Sequence, residues 1–216
     1  MSSGFGELDP SAARVAGPVP AEDGRPGRLD REEVYSGRIV RLSLDSVCFP
    51  GGSEGRLELI RHPGAAAVLP LLDPPDSTDP RVMLIRQYRY AAGGYVYEVP
   101  AGMPDHDEEP WDECARRELA EETGYRAGSL RYLTRIFTTP GFTDEVIHLF
   151  VAGDLQEGDT DRDADEFLSV GTVRLSQAVQ GVARGLIVDG KSVATLLFAD
   201  RFLQEAWTAQ RTVPSR

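Results

Sequence analysis

From Val34 onward the chain reads as short apolar runs separated by turn residues. GRIVRLSLDSVCF (37–49), GRLELIRH (55–62), AAAVLPLL (65–72), RVMLIRQYRY (81–90) and GYVYEVP (94–100) are β-like, and Pro50-Gly51-Gly52, Pro63-Gly64 and Pro74-Pro75 separate them. The pattern then changes. Glu109-Pro110 opens a run with few helix breakers that lasts to Gly124, which predicts a helix over roughly 110–123, with proline at its first position and glycine just past its end. LRYLTRIFTT and VIHLFVAGDL predict further strands around the loop PGFTDE (140–145). Past the acidic loop QEGDTDRDADEF come a strand, LSVGTVRL, a short helix from a Ser176 cap, and a last helix from near Ser192. Val193, Leu196, Leu197, Phe202 and Leu203 give that last helix an apolar face. A mixed sheet with about three helices predicts an α+β fold, an α/β/α sandwich.

At 216 residues the chain suits one well-buried domain plus a tail. Residues 1–30, rich in Gly, Pro, Ala and charge with no apolar period, are expected to form a mobile arm. Residues 31–60 follow as N-terminal antiparallel strands, and 61–210 as the main body.

Thirty-five acidic against 23 basic residues leave a formal charge of -12, which argues against a surface built to neutralise nucleic acid or an anionic membrane. An anionic substrate would then need bound divalent cations and a few placed arginines. Cys48 and Cys114, far apart, form neither a zinc spacing nor a disulfide framework. The start lacks a basic and then apolar signal region, and no stretch reaches the roughly 18 apolar residues of a span, so a cytoplasmic protein is the expectation.

The stretch ARRELAEETGY (115–125) carries the chemistry. On a helix Glu118, Glu121 and Glu122 share a face, where like charges disfavour one another unless a cation intervenes. Arg117 can reach Glu121 at i, i+4, which partly supports a plain solvated helix. Alternatively, the three carboxylates hold Mg²⁺ or Mn²⁺, with waters and phosphate oxygens as the other ligands.

The flanks decide between these. Gly102, six residues, Glu109, seven residues, Arg117-Glu118-Leu119, then Glu121-Glu122, Gly124 and Tyr125 resemble the signature of the Nudix hydrolases. The family pattern has five residues between its first glycine and glutamate; the extra one here is read as an insertion in MPDHDE (103–108), ahead of the helix. The resemblance implies a loop-helix-loop against a mixed sheet, with metal held by Glu118, Glu121, Glu122 and the Ala101 carbonyl. Glu121 also counts as catalytic. Gly102, Glu109, Arg117 and Gly124 become structural members of the motif, Glu109 pairing with Arg117.

RHPGAAAVLPLL, LIRQYRY, YEVPAG and TPGFTDE look like the ADP-ribose pyrophosphatase branch. That likeness implies Mg²⁺-dependent hydrolysis of ADP-ribose to AMP and ribose 5-phosphate. Another nucleotide sugar or dinucleotide (GDP-mannose, NADH, FAD) is the alternative, and a non-catalytic nucleotide sensor a further one. Arg86 and Arg89 close an apolar strand, and guanidinium forks suit a diphosphate. Glu98, Gly141 and Glu145 join them as substrate-binding residues, with a metal contact the alternative for Glu145. Glu98 could also serve a water, or be an exposed strand residue. The general base is expected on the acidic loop at Glu166, with Asp165 the near alternative. Tyr88, Tyr95 and Phe142 could stack on adenine or fill core; His62 and His148 are read as structural. The branch also implies a homodimer through the N-terminal strands, with Arg38 or Arg41 reaching the partner's ligand.

Overall fold

The structure, a computed structural model, describes residues 18–22, 25–158, 168–209 and 212–214. Its contacts divide the chain into two units, Met1–His62 with Thr139–Asp144, and Pro63–Thr138 with Glu145–Arg216.

The first unit is an antiparallel sheet in the order β1 (Gly27–Ser36), β2 (Arg41–Cys48), β3 (Glu54–Arg61). β1 starts inside the stretch that the sequence suggested was an arm. Its GRLDREEVYS shows no apolar period because most of its side chains are exposed, and backbone pairing along β2 makes it a strand. Gly51 and Gly52 turn β2 into β3 at φ 104° and 84°, where a side chain would be strained. Asp45, only 2% exposed, accepts from Ser43 Oγ at 2.8 Å and pairs with Arg61. Arg61 Nη1 also donates to Asp144 at 3.1 Å, and the His62 N–H donates to Asp144 at 2.9 Å, which pins the 139–144 segment to β3.

The second unit holds a four-stranded mixed sheet, β7-β4-β9-β8, formed by β4 (Ala65–Pro70), β7 (Ala101–Gly102), β8 (Tyr125–Phe137) and β9 (Val146–Glu157). Only the β4–β9 pair is parallel there. A three-stranded antiparallel sheet runs β10 (Leu168–Arg174), β5 (Arg81–Arg89), β6 (Gly94–Glu98). The helices are α1 (Trp111–Thr123), α2 (Leu175–Ala183) and α3 (Gly190–Thr208).

The run AAAVLP of β4 is buried throughout because it faces helices on both sides. Ala65, Ala67 and Leu69 pack with Leu196, Ala199 and Leu203 of α3, while Ala66 and Val68 pack with Trp111, Ala115 and Leu119 of α1. β9 alternates in the same way, Leu149 and Val151 against Phe150 and Ala152. The architecture is thus the α/β/α sandwich that the pattern predicted.

Element ends differ from the sequence expectation by a few residues. Pro110 is the cap of α1 rather than its first residue, and Asp112 and Glu113 occupy a first turn that favours negative charge. α2 is capped by Arg174, not Ser176. α3 is capped by Asp189, whose carboxylate accepts the Ser192 N–H, so Ser192 lies inside the first turn. No helix among the described residues is long and apolar enough to cross a membrane.

Candidate active site

The inward stripe of α1 runs through Trp111, Cys114, Ala115, Glu118, Leu119 and Glu122, all buried. Two carboxylates thus take positions that helical spacing would reserve for apolar side chains, a costly placement unless they are hydrogen-bonded or bind a cation. Glu121, one residue round the helix, is about a third exposed, with a side-chain exposure of 34%.

Arg117 ties this face together. Its Nη1 donates to Glu118 at 2.8 Å and Glu121 at 2.9 Å, and its Nε donates to Glu109 at 2.9 Å and lies 3.2 Å from Asp105. Nη2 donates to the Met103 carbonyl at 2.8 Å and to Glu109 at 3.1 Å. Burial works against the arginine's charge, but Glu109 and Glu118 outweigh it and raise its pKa further. Burial would likewise raise Glu109, yet Arg117 and the Asp105 N–H, at 2.9 Å, hold it below its ordinary value. Glu109 is buried and Glu108 exposed, so the glutamate at the correct distance from Arg117 makes the pair. Arg117 and Glu109 also hold the loop between Gly102 and the helix, through its Met103 carbonyl and Asp105 amide.

β7 supplies the opposing wall. The Ala101 N–H donates to Glu122 at 3.0 Å, and a Cβ on Gly102 would overlap the carboxylate of Glu118. Gly102 is therefore glycine because a carboxylate fills the space a side chain would take. Cys114 lies behind it, Sγ 3.6 Å from the Gly102 carbonyl; burial and then Glu118 and Glu109 push its thiol up to about 12, so it is no nucleophile. Gly124 ends the helix in the left-handed region at φ 78°, N–H to the Ala120 carbonyl, and leads directly into β8.

Among the described residues no group of three or more His, Cys, Asp or Glu side chains is set to enclose a metal ion by itself. The donor set nevertheless fits a hard divalent cation: carboxylates on one face, a glycine that leaves them room, and an adjacent backbone strand.

A second charged centre lies at the end of β6. Glu98, only 1% exposed, accepts from Arg89 Nε and Nη2 at 2.8 Å each and from Lys191 of α3. Burial would raise the Glu98 pKa, but Arg89 and Lys191 hold it below its ordinary value. Arg89 is raised above its ordinary value by its hydrogen bonds to Glu98, against burial, with the charges of Glu98, Glu122 and Asp189 adding to it.

A NUDIX domain family model matches residues 61–195. The chain belongs to the Nudix family. It is 35% identical to the ADP-ribose pyrophosphatase of Bacillus subtilis (strain 168) over 85% of this chain and 96% of that one. It is 37% identical to the methanol dehydrogenase activator of Bacillus methanolicus over 82% of this chain and 93% of the other. A crystal structure of an ADP compounds hydrolase shares the fold with a TM-score of 0.71 at 22% identity, covering 84% of this chain and 95% of that one.

Within this Nudix fold the other residues singled out in the sequence are dispersed. Arg86 and Arg89 are three apart on a strand and so face opposite ways: Arg86 sits opposite Tyr97 with its guanidinium 4.1 Å from the Tyr95 ring centroid, on the face away from Glu98. Tyr88 and Tyr95 are exposed and meet edge to face at 5.6 Å, so neither is core. Glu98 is not the exposed strand residue that was one reading of it. Glu145 accepts from Thr138 Oγ1 at 2.7 Å. Gly141 and Phe142 are exposed in the first unit, and a Cβ on Gly141 would meet nothing. Arg38 and Arg41 are exposed in that same unit. His148 is buried and stacked on Trp111 at 4.4 Å, and the His62 amide serves Asp144. Glu166 and Asp165 lie outside the described residues. The sequence reading missed Lys191, whose only signal is its place in Asp189-Gly190-Lys191-Ser192 at the start of α3.

Proposed function

We propose that this chain is a Mg²⁺-dependent hydrolase that adds water across the diphosphate of ADP-ribose, giving AMP and ribose 5-phosphate. The observation that carries this reading is a carboxylate-rich helix face, held by Arg117, whose Glu122 accepts the Ala101 N–H just after the Arg89–Glu98 centre in the chain. Glu118, Glu121, Glu122 and the Ala101 carbonyl would hold the cation. Bound there, it would screen phosphate charge and lower the pKa of a coordinated water. Arg89 offers its guanidinium to the diphosphate, with Glu98 fixing its plane. Glu145 is a further substrate contact in this reading, Arg86 on the opposite strand face is not, and Glu166 takes the proton from the attacking water. The relatives of matching length, one of them an ADP-ribose pyrophosphatase, support the substrate class.

We further infer that two copies associate through the first unit. Neither hydrophobic core cluster includes a residue of that unit, and it exposes Leu29, Val34, Tyr35, Ile39, Val40 and Leu57. A three-stranded sheet needs a packed face for stability. Sedimentation at micromolar concentration should give a dimer; a monomer would refute this.

The deciding experiment is product analysis on ADP-ribose, ADP-sugars, GDP-mannose, NADH and flavin dinucleotide with Mg²⁺ or with chelator. AMP and ribose 5-phosphate should accumulate fastest from ADP-ribose, and only with metal. Tight binding without turnover of any of them would establish a sensor instead. Glu166→Gln should lose roughly 10²-fold in kcat; a change of only a few-fold would move the base elsewhere.

A further inference from the structure

The start of α3 is built into the Arg89 centre by two separate links. Val99 N–H donates to Ser192 Oγ at 2.8 Å, and Ser192 Oγ donates to Asp189 at 2.5 Å, which ties the strand segment just before Ala101 to the helix cap. Lys191 does something different. Its ammonium, on a side chain only 10% exposed, reaches the same Glu98 carboxylate that Arg89 holds from the other side. Asp189 accepts from Lys191 at 3.0 Å, but its oxygen also takes the N–H and hydroxyl of Ser192.

This arrangement has an electrostatic consequence. A carboxylate clamped bidentately by one arginine cancels that arginine's charge, leaving little attraction for an anion. Lys191, whose own charge Asp189 balances, takes up part of the Glu98 charge, so Glu98 neutralises the exposed guanidinium less completely than it would alone. The arginine is also the accessible member of the trio: its side chain is 43% exposed, against 2% for Glu98. The buried partners therefore set the charge and the plane, and Arg89 presents both.

We propose that Lys191 is a positioning residue for anion recognition, acting through Glu98 on Arg89 and not on the substrate itself; this rests on the reading of Arg89 as the diphosphate contact. The test is calorimetric titration of full-length protein with ADP-ribose in chelator, so that binding is measured without turnover. Lys191→Met should weaken binding about tenfold and Lys191→Arg by no more than about twofold, with thermal unfolding confirming that each is folded. Arg89→Ala should weaken it at least as much, and adding Lys191→Met to Arg89→Ala should cost no more than about twofold further, because the lysine acts through the arginine. If Lys191→Met does not fold, Lys191→Gln, which keeps a donor but drops the charge, is held to the same criteria.

Three results overturn the proposal while leaving Arg89 in its role: Lys191→Met near wild type beside a weakened Arg89→Ala, Lys191→Arg as poor as Lys191→Met, or losses that multiply in the double variant. Unchanged binding by Arg89→Ala is a distinct outcome, and it removes the diphosphate reading of Arg89 along with the proposal.

Discussion

Two charged centres of the second unit are built on different ratios of charge. At α1 one guanidinium, Arg117, faces the carboxylates of Asp105, Glu109, Glu118 and Glu121. At β6 one buried carboxylate, Glu98, faces the cations Arg89 and Lys191, and Asp189 balances Lys191. Both are stitched by short charge-assisted hydrogen bonds, and by pairing alone both look like structural ion networks. The difference lies in the balance of charge and in which group is exposed. The first is left negative and suits a divalent cation; in the second the cations match the carboxylates, and the accessible member is the Arg89 guanidinium, which suits a phosphate anion. The chain as a whole carries a formal charge of -12, so a guanidinium meant for an anion must be held in place, and the buried Glu98 is the scaffold for it.

Substitutions that change one centre should leave the other intact. The largest effect is expected from Glu122→Gln, which can still accept the Ala101 N–H but removes a charge: kcat with Mg²⁺ should fall by roughly 10³-fold or more while circular dichroism is unchanged. Retained activity would move the metal site off this helix. Arg117→Met leaves Glu109 and Glu118 without their shared cation and should cost about 3 kcal/mol of stability in denaturant unfolding, part of it recovered by saturating Mg²⁺. A loss that Mg²⁺ does not touch would mean that the cation and Arg117 do not serve the same carboxylates.

The smallest effect is on acid sensitivity. Glu98 is held below its ordinary 4.5, so the stability it contributes is complete above that value and is lost as pH falls through the lower folded value. Glu98→Gln should therefore flatten the acid limb of the melting temperature against pH, and an unchanged limb would assign acid sensitivity to other carboxylates.

The first centre was legible in the sequence and the second was not, for a physical reason. Glu109, Arg117, Glu118, Glu121 and Glu122 lie within one loop and helix, so fixed spacing encodes their geometry. Glu98 and Lys191 are separated by 93 residues, and only the packing of α3 brings them together. Arg86 and Arg89 were both read as diphosphate contacts, and alternation of side chains puts the two on opposite faces. The first residues of β1 escaped notice because its outward polar side chains show no apolar period; backbone pairing with β2 and the ion pairs of Arg31 with Asp45 and Glu32 with Arg56 hold it. The continuous apolar run of β4, by contrast, told plainly of a strand covered on both faces.

The claim that the charge balance of each centre selects its ligand is tested most directly by titrating Mn²⁺ and following the free-ion signal in wild type, Glu122→Gln and Arg89→Ala. Wild type and Arg89→Ala should bind Mn²⁺ alike, and Glu122→Gln about tenfold or more weakly. Equal losses in the two variants, or no binding by wild type, would contradict it.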